Sequence, residues 1–481
     1  MIPKNIIHVS EEHSATLPIW WALHDSPRTV VYLDAHLDLQ ETSVASVAAL
    51  KHCTTLEEVR ALEVPNHLNP STRYAFGIEN FLYAAHRLKL LDRLIWVAPA
   101  HIPRHYSSEL IGYMQQMDGV TFDELTSFRT IGPGVLRGEL LGLDITICDY
   151  DNVGSLDIDQ NFYLDIDIDY FVDVPSDRLW IDPAIVINTI LTELGDPSMV
   201  TISRAVSSGF TPMAFRYVGD YIYSLLSGQE REFAYYQKLT KAIRNLADGD
   251  LERGRHICEQ LTKDQPELAA AYYILALSDG DLNAKNRLLN LARRYDAAYG
   301  FDLAREAIGL LHRKKPLSRD TVQRLAKSLD RLDLDKLHRQ QAEVALAQVL
   351  AASGDLESAL SLVARQEGDY ANHEDVWLAI AARQLANSSV REQNAVLLTS
   401  ISNGGRNATA AMVYLGDLDF AGKNFQPALN HYAAAHQRAS AWMLPMERML
   451  DCYQQLGMID DAIDLEQRIV ERRQRIEHIL G

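Results

Sequence analysis

The first 228 residues alternate short, wholly apolar runs with amphipathic stretches. Thr29–Leu33, Leu94–Val97, Ile145–Cys148, Phe162–Leu164 and Met199–Ile202 are rich in β-branched and aromatic residues and read as buried strands. Between them, apolar positions recur at helical spacing near residues 15–24, 41–50, 77–91, 107–117 and 184–194. Strands apolar on both faces and separated by helices predict an α/β three-layer domain over residues 1–228, with a parallel sheet between helices. Such sheets bind ligands at the carboxyl ends of their strands.

From residue 229 to 481 the strand signals stop, and the chain reads as an all-α domain rich in Ala, Leu, Gln and Arg. A short phrase recurs there, at Gly249-Asp250-Leu251, Gly280-Asp281-Leu282, Gly354-Asp355-Leu356, Lys423-Asn424-Phe425 and Gly457-Met458-Ile459. A glycine or polar turn ends one helix, and a small alanine further on lets the next helix pack closely. Lys423 and Gly457 stand 34 residues apart, the period of tetratricopeptide-like helix pairs. The other intervals are irregular, and His312-Arg313-Lys314-Lys315-Pro316 marks a candidate break in the array. Arrays of this kind present a concave surface that holds a peptide or partner protein, or they mediate self-association.

Charge separates the two halves further. Residues 1–228 carry 30 Asp and Glu against 14 Lys and Arg, and residues 229–481 carry 35 against 32. An acidic first domain repels nucleic acid and anionic membranes and attracts metal ions or cationic substrates. No run approaches the ~18 apolar residues of a membrane span. Met1-Ile2-Pro3-Lys4 lacks the features of a signal peptide, and Cys53, Cys148, Cys258 and Cys452 lie in no metal-like spacing. These features lead to the expectation of a cytoplasmic protein with reduced thiols.

Two acidic motifs follow predicted strands. In Asp34-Ala35-His36-Leu37-Asp38, ligand-type groups fall at alternate positions, which share one side of an extended chain. In Asp165-Ile166-Asp167-Ile168-Asp169, the isoleucines suit a buried face and leave three carboxylates on the other. Like charges at that spacing raise one another's pKa unless a cation sits among them. Hard carboxylates with imidazole suit Mn²⁺, with Mg²⁺, Fe²⁺ or Zn²⁺ as alternatives. So many ligands fit two ions about 3.5 Å apart better than one. A calcium loop needs a glycine after its third acid, where Tyr170 stands. A phosphatase nucleophile motif fares no better, since no Thr follows the second acid.

With Glu12-His13-Ser14 ahead of them, these motifs resemble the arginase–deacetylase superfamily over roughly residues 5–215. That superfamily carries, in order, a His-Ser pair, Asp-Ala-His-x-Asp, and Asp-x-Asp at a later strand end, matched here by Asp167-Ile168-Asp169. Phe76–Phe81, Ile95–Pro99 and Leu164–Phe171 are similar to a divergent branch that includes peptide arginases. The resemblance implies an arginase-like fold and hydrolysis of arginine side chains within a peptide to ornithine and urea. It implies that His13, Asp34, Asp38 and Asp167 hold one Mn²⁺, and that Asp34, His36, Asp167 and Asp169 hold a second. Asp165 matches no ligand of arginase itself; it stands as a further ligand or as the support of one. The family's late glutamate for guanidinium has no counterpart.

For the chemistry so implied, Asp38 or Asp169 is expected to relay a proton to the leaving amine, and His52 to act as proton shuttle. Glu79 and Glu12 are the candidates for holding the guanidinium. The expected partner is an arginine-containing peptide, delivered by the helical domain. Two rivals remain: a metal-dependent amide hydrolase or deacetylase, against which the absence of a His-His dipeptide weighs, and a non-catalytic peptide-binding adaptor.

Overall fold

The computed structural model describes residues 2–23, 28–69, 74–100, 108–158, 161–312, 318–366, 373–384, 398 and 407–480. The strands are β1 (Ile7–Ser10), β2 (Arg28–Leu33), β3 (Leu91–Val97), β4 (Arg129–Gly132), β5 (Val135–Leu140), β6 (Leu143–Cys148), β7 (Phe162–Asp167), β8 (Val172–Asp173), β9 (Arg178–Leu179) and β10 (Met199–Ser203). Eight of them form one sheet in the order β1-β10-β7-β2-β3-β6-β5-β4, while β8 and β9 pair separately. The pairings from β1 through to β6 are parallel. β5 and β4 add an antiparallel edge.

Alternation along β2 separates the layers. Val31 and Leu33 enter one apolar cluster with Val186, Ile187 and Ile190 of the helix Pro183–Leu194. Val30 and Tyr32 enter another, with Leu17 and Trp20 of the helix Thr16–Leu23 and Phe81 of the helix Phe81–Arg87. A sheet covered on both faces has no solvated side, so its central strands are apolar throughout. The short β1 and the half-exposed β4–β5 hairpin lack such apolar runs, and their pattern does not announce them. The helix expected over 77–91 begins only at Phe81, because residues 77–80 form a turn in which Asn80 Oδ1 accepts from Gly77 N at 2.8 Å.

Beyond Leu226 every described element is helical. The recurrent phrase falls between successive helices, with Gly249, Gly354 and Gly457 at φ of 87°, 88° and 70°. That left-handed turn ends a helix at low cost only for glycine. Asp250, Asp281 and Asp355 then cap the following helices through their side chains. The change of pattern at residue 229 is no gap in the core: Val218 and Ile222 share one apolar cluster with Leu239, Cys258 and Ile274. The basic stretch 313–317 lies outside the described residues.

Among the described residues, the helical array touches the first domain through its opening half and again through its end. Near its start, Arg216 Nε donates to Asp296 at 3.1 Å, and Gln341 Nε2 donates to Asn69 Oδ1 at 2.7 Å. Near its end, Arg438 pairs with Asp118 at 3.1 Å, Ala441 N donates to Val120 O at 3.2 Å, and the Arg472 guanidinium lies 4.3 Å from the Phe122 ring centre. Among the described residues, no helix is long and apolar enough to cross a membrane.

Candidate metal centre

The carboxyl ends of β1, β2 and β7 bring the two motifs together. His13 opens a 3₁₀ turn shortly after β1, and Asp34 follows the last residue of β2. β7 runs on past Leu164, the end expected from its apolar run, through Asp165 to Asp167. The extended reading holds for Asp165–Asp167 in β7 but not for Asp169 or for the first motif. Asp34 Oδ1 accepts from His36 N at 2.6 Å, so residues 34–36 form a turn. Asp169 sits in the 3₁₀ turn Ile168–Phe171, its N–H donating to Asp167 Oδ1 at 3.1 Å. Both motifs therefore converge by turning at strand ends.

Two ligand sets result, and they share Asp34. His13 Nδ1 lies 3.0 Å from Asp34 Oδ2, 3.2 Å from Asp38 Oδ2 and 3.4 Å from Asp167 Oδ2. His36 Nδ1 lies 2.9 Å from Asp169 Oδ2 and 3.7 Å from Asp34 Oδ1. Asp34 is fixed by its neighbours: the Tyr32 hydroxyl donates to its Oδ2 at 2.5 Å, and Trp96 Nε1 donates to its carbonyl at 2.9 Å.

Asp165, expected as a further ligand or as the support of one, stands in the position of a support. Its Oδ2 accepts from Nε2 of His13 at 2.9 Å, on the far side of the ring from the other carboxylates. Its Oδ1 accepts from the hydroxyls of Thr201 and Thr16. A carboxylate that only accepts holds the ring proton on Nε2 and leaves Nδ1 a lone pair for a metal. Stacking on Tyr32, with ring centres 5.5 Å apart and planes 4° from parallel, further fixes the imidazole.

The electrostatics favour a cation. Burial opposes a charge on His13, yet Asp165 and the facing carboxylates raise its pKa well above the ordinary value. Burial opposes ionisation of Asp34, yet His13 and His36 beside it hold its carboxyl well below the carboxylate range. Burial and the charge of Asp34 push Asp38 up to about 7. Burial and Asp169 raise Asp167, and burial and Asp34 raise Asp169. Four buried carboxylates cannot all ionise together without a neutralising partner. His13 Nδ1, buried and close to three carboxylate oxygens, makes no well-formed hydrogen bond to any of them. A buried imidazole nitrogen that faces three carboxylate oxygens without a well-formed hydrogen bond to them suits a bound divalent cation.

His52 does not belong to the site. It is exposed at the end of the helix Val44–His52, and its Nδ1 bonds the Ala48 carbonyl at 2.6 Å. Glu79 is half-buried, and its carbonyl accepts from Gln40 N, next to the first motif. Glu12 lies beside His13 and accepts from the Ser207 hydroxyl; burial, Glu63 and Glu11 raise its pKa to about 7. Trp20 packs in the core, 6.2 Å from Phe81.

Sequence reasoning missed Tyr32, Thr201 and an aromatic group at the mouth. Tyr32 had a usable signal: two residues before Asp34, it shares that residue's side of the strand. Thr201 meets Asp165 only through the pairing of β10 with β7. The mouth group centres on Phe210, whose ring lies 6.3 Å from His36, 5.0 Å from His67 and 4.7 Å from His312. Burial, then the nearby His36, lowers the pKa of His312 to about 4. No family model and no curated protein matches the chain.

Proposed function

We propose that the chain is a binuclear, Mn²⁺-dependent hydrolase that cleaves the guanidinium of arginine side chains within a polypeptide. The observation that carries this reading is the pair of ligand sets sharing Asp34 at the carboxyl edge of a parallel sheet. His13 and His36 face different carboxylates, which favours two ions over the single ion of a deacetylase-type site. The motif order of the arginase–deacetylase superfamily adds the reaction class.

In the net reaction a guanidinium and water give an ammonium and urea. A C–O bond forms at the guanidinium carbon, the C–N bond to the side-chain nitrogen breaks, and the protons of water end on the products. Two divalent ions, when bound, supply Lewis acidity and a water acidic enough to ionise near neutral pH. The protein's own groups do the rest. Asp34, Asp38, Asp167 and Asp169 with the two histidines fix the ions, and Asp165 orients His13. Asp38 or Asp169 carries a proton toward the leaving amine. Glu12, next to His13 in the chain and held by the Ser207 hydroxyl, offers a carboxylate to the guanidinium. The acidic first domain attracts the cation, and the helical array receives the polypeptide around it.

The test is incubation of the Mn²⁺-loaded protein with an arginine-containing peptide. The expected result is release of urea and a product lighter by CH₂N₂ per arginine. A fully metal-loaded protein that leaves both arginine peptides and free arginine unchanged overturns the proposal.

A further inference from the structure

Among the residues of the cluster, His36 alone has an open side chain, 54 % exposed, whereas His13, Asp34, Asp38, Asp167 and Asp169 are buried. A substrate therefore reaches the ions from the His36 side. Three rings stand there, from three distant parts of the chain. Phe210 follows β10, His67 precedes the helix Phe81–Arg87, and His312 ends the helix Leu303–His312 of the helical array. All three are half-buried, with His67 and His312 both packed on Phe210. Gly209 lets this happen, because a Cβ there would lie 2.9 Å from the Arg305 carbonyl of the same array helix.

We infer that Phe210, His67 and His312 form the wall of the passage by which the substrate side chain reaches the ions, so that the helical array contributes directly to substrate selection. The inference rests on the proposed arginine chemistry. Aromatic faces suit a flat cation on an aliphatic stem: the guanidinium stacks on them and the methylenes pack against them. A neutral imidazole at His312 adds such a face without a repelling charge. The contacts of the array with the first domain, at Asp296 and Gln341, lie on either side of His312 in the chain and hold it at the mouth.

The experiment uses the full-length, Mn²⁺-loaded protein and two fluorescein-labelled glycine–serine peptides. One carries a single arginine, the other its neutral counterpart citrulline, and binding is read by stopped-flow anisotropy before turnover. The wild type prefers the arginine peptide. Phe210→Ala and His312→Ala weaken arginine-peptide binding about 3- to 30-fold, the range expected for cation–π contacts. Both weaken citrulline binding less than arginine binding and leave manganese content unchanged, and His312→Phe restores the preference. An unchanged preference in Phe210→Ala and His312→Ala overturns the inference. Ring-dependent preference without urea release would sink the reaction and leave the passage standing. Urea release with a preference that ignores both rings would do the reverse.

Discussion

The two ligand sets differ most in how they meet solvent. The inner set, around His13, is wholly buried, and its imidazole is clamped by Asp165 on one nitrogen and stacked on Tyr32. The outer set is built on His36, whose side chain is 54 % exposed and close to the aromatic mouth. A rigid inner half and an accessible outer half suit one ion that stays and one that meets the substrate. Asp34, common to both, is where that contrast should disappear. Asp34→Asn is expected to lower manganese from two per chain to none at micromolar metal and to cut urea release by ~10³-fold or more. Metal analysis beside the activity assay checks this. Two ions retained in Asp34→Asn would show that the sets are not joined through this residue.

His36→Ala should separate the halves. The outer ion is lost and the inner one kept, giving one manganese per chain, with activity reduced ~10²-fold or more because the substrate-facing charge is gone. Loss of both ions, or of neither, would break the distinction between a buried and an open site. Direct metal titration by calorimetry reads the outcome whether or not a substrate is known.

The contrast between the halves was only partly legible in the sequence. The five strands β2, β3, β6, β7 and β10, the helical second half and the residues of both motifs follow from apolar periodicity and from carboxylates placed where apolar runs end. Geometry beyond the strand ends does not. The apolar run of β7 stops at Leu164, yet the strand continues, since Asp165 finds hydrogen-bond partners on the neighbouring β10 and on His13. Sequence periodicity carries no information about a partner strand, so Asp165 resembled a third ligand. His52 misled for the opposite reason. It is expected as a proton shuttle, but the helix Val44–His52 turns it toward solvent. Phe210, His67 and His312 share no motif: the fold of the first domain brings His67 to Phe210, and only the docking of the array adds His312.

The smallest expected effect is the most discriminating. Asp165→Asn keeps the shape of the side chain and an acceptor for His13 Nε2, but removes the negative charge that makes the imidazole a stronger donor to a metal. Supporting carboxylates of this kind are worth about 10- to 100-fold in metal affinity. That loss should fall on the inner ion alone, because the Asp165 carboxylate is held by His13 and two threonine hydroxyls, on the side of the imidazole away from the outer set. In the wild type a chelator should strip the exposed outer ion first. In Asp165→Asn the two release phases should draw together. The His36→Ala background makes the assignment independent of phase analysis: with one ion left, adding Asp165→Asn must weaken that ion. If the remaining ion binds equally well in the double variant, the tight inner half owes nothing to the buried carboxylate behind His13. Its affinity would then come from the three facing oxygens alone.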